Sequence, residues 1–126
     1  MPRTTISIIE GKPSEFKESL FECIYTAMVE TFDVPENDMF MTISEHKTEN
    51  FCYGKSYLNI ERTDELIMIE IICNNTRSVQ QKQNLYKKIA ENLHKKLNIR
   101  VEDIFINILE CIKENWSFGY GIAQYA

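Results

Sequence analysis

The apolar positions of the chain change period several times, and each change marks an element. Thr4 to Ile9 is β-branched at nearly every position and reads as a strand. Glu10-Gly11-Lys12-Pro13 turns the chain, and Pro13 suits the first turn of a helix, where a missing N–H is no loss. Phe16, Leu20, Phe21, Ile24, Ala27, Met28 and Phe32 then recur at helical spacing, which predicts an amphipathic helix ending near Asp33. Pro35 punctuates, and Met39 to Glu45 reads as a second strand. A strand, a helix and a strand so close together make a βαβ unit, with parallel strands and a right-handed crossover.

Residues 47–65 read as an insertion, polar at first, then strand-like at Tyr57, Leu58 and Ile60, with a turn at Thr63-Asp64-Glu65. Leu66 to Cys73 is the most apolar strand. The first pattern then returns. Ser78 with Gln81 three residues on is a capping box. Val79, Leu85, Tyr86, Ile89, Ala90, Leu93 and Leu97 predict a second amphipathic helix, and Ile104 to Leu109 a last strand. The halves superpose at a constant offset of 65 without a gap: Ile6 falls on Ile71, Leu20 on Leu85, Ile24 on Ile89, Asp38 on Asp103 and Phe40 on Phe105. The expectation is one α+β domain of residues 1–126, with repeat halves at about 2–46 and 66–111 and a C-terminal arm at 112–126. Its two β-α-β units form one four-stranded sheet with both helices on one face. Strands such as Leu66–Cys73 are apolar on both sides, so the uncovered face is expected to meet a partner subunit.

Composition narrows the partners. The net charge of −5 leaves no basic face able to neutralise a run of phosphates, which argues against nucleic acid. No apolar stretch is long enough to span a membrane, and the first residues lack a signal-peptide core, so a cytoplasmic chain is expected. There Cys23, Cys52, Cys73 and Cys111 remain thiols; none forms a CxxC pair, and His46 and His94 sit in no metal pattern.

Four features bear on chemistry. If Met1 is removed, Pro2 presents a secondary amine on a rigid ring, and a free α-amino group titrates near ~7.7–8.0, where it serves as acid or base. With Met1 in place, Pro2 is an ordinary chain start. Lys12 falls on Arg77 in the repeat, each just before a helix. Lys12 reads equally as a solvated charge, whereas a guanidinium beside free helix N–H groups reads as a carboxylate or phosphate site. Asp38 and Asp103 head the second and fourth strands, and a turn carboxylate bonding nearby backbone accounts for Asp103 best. The tail from Asn115 to Tyr125 is dense in aromatics and glycine; it reads as an arm packed over an apolar edge or as the apolar wall of a pocket.

Together, Met1-Pro2, the two βαβ units, the cation after Glu10-Gly11 and the tail WSFGYGIAQ resemble the tautomerase superfamily. Within it the chain is most similar to the malonate semialdehyde decarboxylase branch, through Val34-Pro35-Glu36-Asn37-Asp38 and Arg77-Ser78 leading into Gln81-Lys82. The resemblance covers the whole chain. It implies a homotrimer with sheets facing inward, removal of Met1, and catalysis without cofactor or metal on a small carboxylate-bearing substrate. It implies that Pro2 transfers the proton, that Asp38 holds or polarises the amine or a water, and that Arg77 binds the substrate carboxylate. Trp116, Phe118 and Tyr125 would form the apolar wall. One departure stands out: decarboxylases of this branch resemble R-x-R-S where this chain reads Asn75-Thr76-Arg77-Ser78. Asn75 lacks a guanidinium's fixed charge and fork, although Lys12 could restore part of the charge. The reading that follows is keto–enol tautomerisation of a small 2-oxo acid. The alternatives are a decarboxylase or hydratase of the same fold, and a non-catalytic trimeric module that binds a ligand or protein.

Overall fold

A computed structural model describes residues 2–126. The removal of Met1 concerns a residue outside that range. Six principal elements follow one another: β1 (Arg3–Ile9), α1 (Ser14–Phe32), β2 (Phe40–His46), β3 (Ile67–Asn74), α2 (Val79–Leu97) and β4 (Ile104–Cys111). The strands form one sheet in the order β2-β1-β3-β4. Each half supplies a parallel pair, β1 with β2 and β3 with β4, and the halves join antiparallel through β1 and β3.

The repeat is carried into the geometry. α2 begins and ends 65 residues after α1, and the pairing Arg3 with Phe40 reappears as Met68 with Phe105. Asp33 and Asn98 close the two helices in the same left-handed conformation, at φ 52° and 54°; short polar side chains tolerate that region and release the helix. The N-termini differ. Ser78 and Gln81 form the expected capping box, whereas Pro13 sits at the cap without a side-chain hydrogen bond.

Alternation along β1 and β3 decides where the core lies. Ile6 and Ile8 of β1 and Ile67, Ile69, Ile71 and Cys73 of β3 all point to one face and are buried there. Leu20, Ile24, Met28 and Phe32 of α1 and Leu85, Ile89 and Leu93 of α2 cover them. Both helices therefore pack on one face. Each such aliphatic residue contributes roughly 1.5–3 kcal/mol by leaving water. Across the open face the register sets up rows: Phe40, Arg3, Ile72 and Leu109 in one, Thr42, Thr5, Glu70 and Asn107 in the next. This face is apolar toward one end and polar in the middle, a more mixed surface than β3 alone predicts.

The insertion departs from expectation. Tyr57–Asn59 is a short 3-10 turn, with Leu58 and Asn59 in the left-handed region, and no strand forms there. The cause is local: the Arg62 guanidinium donates to the carbonyls of Gly54, Tyr57 and Ile60 at 3.0–3.2 Å, gathering the loop into a knot rather than a ladder. Asp103 is fully buried and accepts from the Thr63 N–H and hydroxyl at 2.7 and 2.6 Å, so it tethers the insertion to β4 as a turn carboxylate.

Candidate active site

Strand direction explains why distant residues meet. The start of β1, the start of β2, the end of β3 and the end of β4 all lie at the same end of the sheet. Pro2, Asp38, Asn74 to Arg77 and the C-terminal arm are thereby gathered there. Lys12 follows the far end of β1, seven residues of strand away from Pro2. Its ammonium is held on Glu65 and lies 5.1 Å from the centre of the Phe16 ring. Within one chain, then, Lys12 does not join this cluster.

Pro2 is buried, and it lines a cleft of about 210 Å³ with Arg3, Phe40, Trp116, Ser117 and Phe118. A second hollow of about 390 Å³ adjoins it through Phe40 and Phe118 and contains Asp38, Gln124 and Tyr125. Asp38 is buried, at 8% exposure. The loop before it is pinned by Tyr25, whose hydroxyl donates to the Pro35 carbonyl at 3.4 Å and accepts from the Asn37 N–H at 3.2 Å. Asn37 takes a positive φ of 66° to make this turn.

The tail lines both hollows, through Trp116, Ser117 and Phe118 in the first and Phe118, Gln124 and Tyr125 in the second. Trp116 and Phe118 stack with ring centres 5.5 Å apart and planes 9° from parallel, and Tyr125 meets Phe118 edge-on at 5.4 Å. Such pairs favour one another by roughly 0.5–1.5 kcal/mol beyond burial. Two amides fix the arrangement. Gln124 accepts from the Phe118 N–H and donates to the Gly119 carbonyl, both at 2.9 Å. Asn74, buried at the end of β3, accepts from the Trp116 indole Nε1 at 2.8 Å. The sequence reading gave Asn74 no part in the site and named Gln124 only as the last residue of the WSFGYGIAQ tail. A lone amide has no spacing signature, and only the fold brings it to the aromatic group it holds.

Arg77 lies in the turn between β3 and α2. Its Nη2 donates to the Phe32 carbonyl at 3.0 Å, and its guanidinium carbon stands 4.9 Å from the centre of the Phe32 ring. A cation at the C-terminus of α1 is favoured by the negative end of the helix. Arg77 thus fastens the end of α1 to the end of β3, with part of its donor fork committed to backbone. Asn75 is exposed, and its N–H donates to the Cys111 carbonyl at 3.0 Å. Burial pushes the neighbouring Cys73 thiol up, with Arg77 partly opposing, so this sulfur stays protonated near neutral pH. Among the described residues, no group of acidic, histidine or cysteine side chains is arranged to hold a metal ion, and no helix is long and apolar enough to cross a membrane.

A β-α-β repeat with a proline at the buried start of an interior strand, facing an aromatic-walled cleft, defines the class of protein. Comparison with known proteins agrees. The pattern of a family described as tautomerase enzymes matches residues 38–119, and that of a second family of the same description matches residues 2–59. The chain is 39% identical to Probable tautomerase YusQ of Bacillus subtilis over 98% of both chains. It is 30% identical to Probable tautomerase YrdN of the same organism, over 99% of this chain and 96% of the relative. Among solved structures it is similar to malonate semialdehyde decarboxylase, with a TM-score of 0.93 and 27% identity over 98% of this chain and 95% of that one. A second malonate semialdehyde decarboxylase, solved with the inhibitor 3-bromopropiolate, gives 0.91 and 25% over 98% and 93%. The chain belongs to the tautomerase family and is an enzyme of isomerase type.

Proposed function

We propose that this enzyme interconverts keto and enol forms of small 2-oxo acids, with the amine of Pro2 as general acid and base after Met1 is removed. The observation that carries the reading is the placement of Pro2, buried at the head of an interior strand and lining an apolar cleft beside the hollow of Asp38. The chemistry is a proton shuttle. The amine takes a proton from the carbon next to the carbonyl and returns one to oxygen, or the reverse, with no net gain or loss. Asp38 holds the ammonium form or a water, and the ring fixes the nitrogen that a flexible primary amine would leave free to wander. Arg77 contributes positive charge for the substrate carboxylate, while Trp116, Phe118 and Tyr125 exclude water from the carbon chain.

The apolar end of the open face, with Phe40, Ile72 and Leu109, supports assembly as a homotrimer, in which a neighbouring subunit would bring Lys12 to a cleft. Decarboxylation or hydration of a 3-oxo acid is kept as a second reading because of the similarity to malonate semialdehyde decarboxylase. Asn75 stands against it: holding a leaving carboxylate and a developing oxyanion together is a task two guanidiniums divide well, and a neutral amide replaces one of them.

The test begins with intact mass, which reports whether the amine exists. Pro2→Ala should then lower phenylpyruvate tautomerisation by about 10²-fold or more, the scale of a positioned acid or base, with the fold unchanged. Unaltered turnover in that variant would remove Pro2 from the mechanism.

A further inference from the structure

Arg3 stands next to Pro2 at the start of β1, and the cleft that Pro2 lines is lined by Arg3 as well. Its Cα pairs with Phe40 on one side and Ile72 on the other, so the three side chains share the open face of the sheet. Arg3 is exposed and makes no hydrogen bond or ion pair among the described residues. The other cations considered for the site are engaged: Lys12 on Glu65 at the far end of β1, Arg77 on the Phe32 carbonyl. Neither of them lines the Pro2 cleft.

The repeat supplies an internal comparison. Counting 65 residues on, Arg3 corresponds to Met68 and Phe40 to Phe105. Met68 and Phe105 line a cleft of about 250 Å³ in the second half, so the hollow itself is a property of the fold. The second-half cleft carries a thioether where the first carries a guanidinium. The second cleft does contain a guanidinium, that of Arg62, but it is tied to the carbonyls of Gly54, Tyr57 and Ile60; a cation at this strand position is present only in the half that begins with Pro2.

We infer that Arg3 is the specificity-determining anion site of this enzyme, holding the carboxylate of the substrate while its carbonyl and adjacent carbon lie toward Pro2. The inference rests on the cleft being the active site. The chemistry suits it. Phe40, Trp116 and Phe118 make the surroundings apolar, which strengthens a guanidinium–carboxylate pair over the same pair in open water. Two parallel N–H donors match the two carboxylate oxygens and orient the rest of a small 2-oxo acid. Arg77, which does not line this cleft, adds positive charge from the turn after β3, while Arg3 makes the direct contact.

The experiment is calorimetric titration of the mature enzyme with 2-oxopentanoate and with its methyl ester. The two share a carbon chain and differ in charge. Wild type should prefer the acid. Arg3→Gln should weaken the acid roughly 10- to 100-fold, the scale of a hydrogen-bonded charge, and move the ester by less than about twofold. Arg3→Lys should fall between, keeping the charge without the fork. Equal loss of both ligands in Arg3→Gln, no loss of the acid, or a wild type indifferent to charge would each overturn the assignment. A failure of the amine mechanism appears in the turnover of Pro2→Ala, whereas this assignment is read from the difference between acid and ester in Arg3→Gln, which needs no turnover.

Discussion

Asn74→Ala removes a single acceptor and should loosen the whole aromatic wall. In the structure the Asn74 amide oxygen lies 2.8 Å from Trp116 Nε1, and Asn74 is only 6% exposed, so water does not readily take its place. Removing one partner of this part-buried pair costs more than the net value of the bond where the indole N–H is left unsatisfied; the range is roughly 1–3 kcal/mol. That corresponds to a roughly 5- to 150-fold weaker preference of the arm for its docked position. The Trp116–Phe118 stack and the Gln124 clamp still hold the arm, so the result is partial release rather than detachment. The sheet and helices do not depend on this bond, and the thermal midpoint should fall by no more than about 3 °C. Trp116 is the sole tryptophan, so its emission reports the wall alone. Asn74→Ala should shift that emission to the red and raise quenching by acrylamide, with kcat/KM lowered about tenfold. Asn74→Asp keeps an acceptor oxygen and should restore most of both. Unchanged emission and quenching in Asn74→Ala would refute the claim that this amide holds the wall.

Two further predictions follow from the same geometry. Asn75→Arg should raise malonate semialdehyde decarboxylation more than phenylpyruvate tautomerisation, and Arg77→Ala should depress both, chiefly through KM; efficient decarboxylation by the unaltered enzyme without tautomerase turnover would show the weight placed on Asn75 to be misplaced. Sedimentation equilibrium at micromolar concentration should give three times the 14.8 kDa chain mass, and a clean monomer would sink the trimer along with any role for Lys12 in the cleft.

The repeat, both helices and all four strands were legible because they rest on periodicity, which local sequence carries. Element ends moved by a residue or two: β2 runs from Phe40 to His46 rather than from Met39 to Glu45, and β4 continues to Cys111. The error at Tyr57, Leu58 and Ile60 has a clear origin. Three apolar residues looked like a strand, but the knot that Arg62 ties depends on contacts with carbonyls that periodicity does not register. Pro2, Asp38 and the tail aromatics were named as site candidates through their resemblance to a family. Arg3 and Asn74 were not, because their relevance is a matter of strand direction and cleft geometry. Arg77 was read as facing a ligand; its engagement with Phe32 appears only when the end of α1 is brought beside the end of β3.

A chain built twice over still has only one beginning. Sixty-five residues after Pro2 the repeat reaches Ile67, which has the buried position at the head of a strand but lies mid-chain, its nitrogen locked in an amide. No substitution there can free the backbone nitrogen. The second half was thus never eligible for the chemistry proposed for the first, however faithfully it copies the fold, and its copy of Asp38 is free to serve as the tether at Thr63. Counted per chain, reagents directed at the amine should therefore saturate at one equivalent, from a scaffold whose symmetry suggests two.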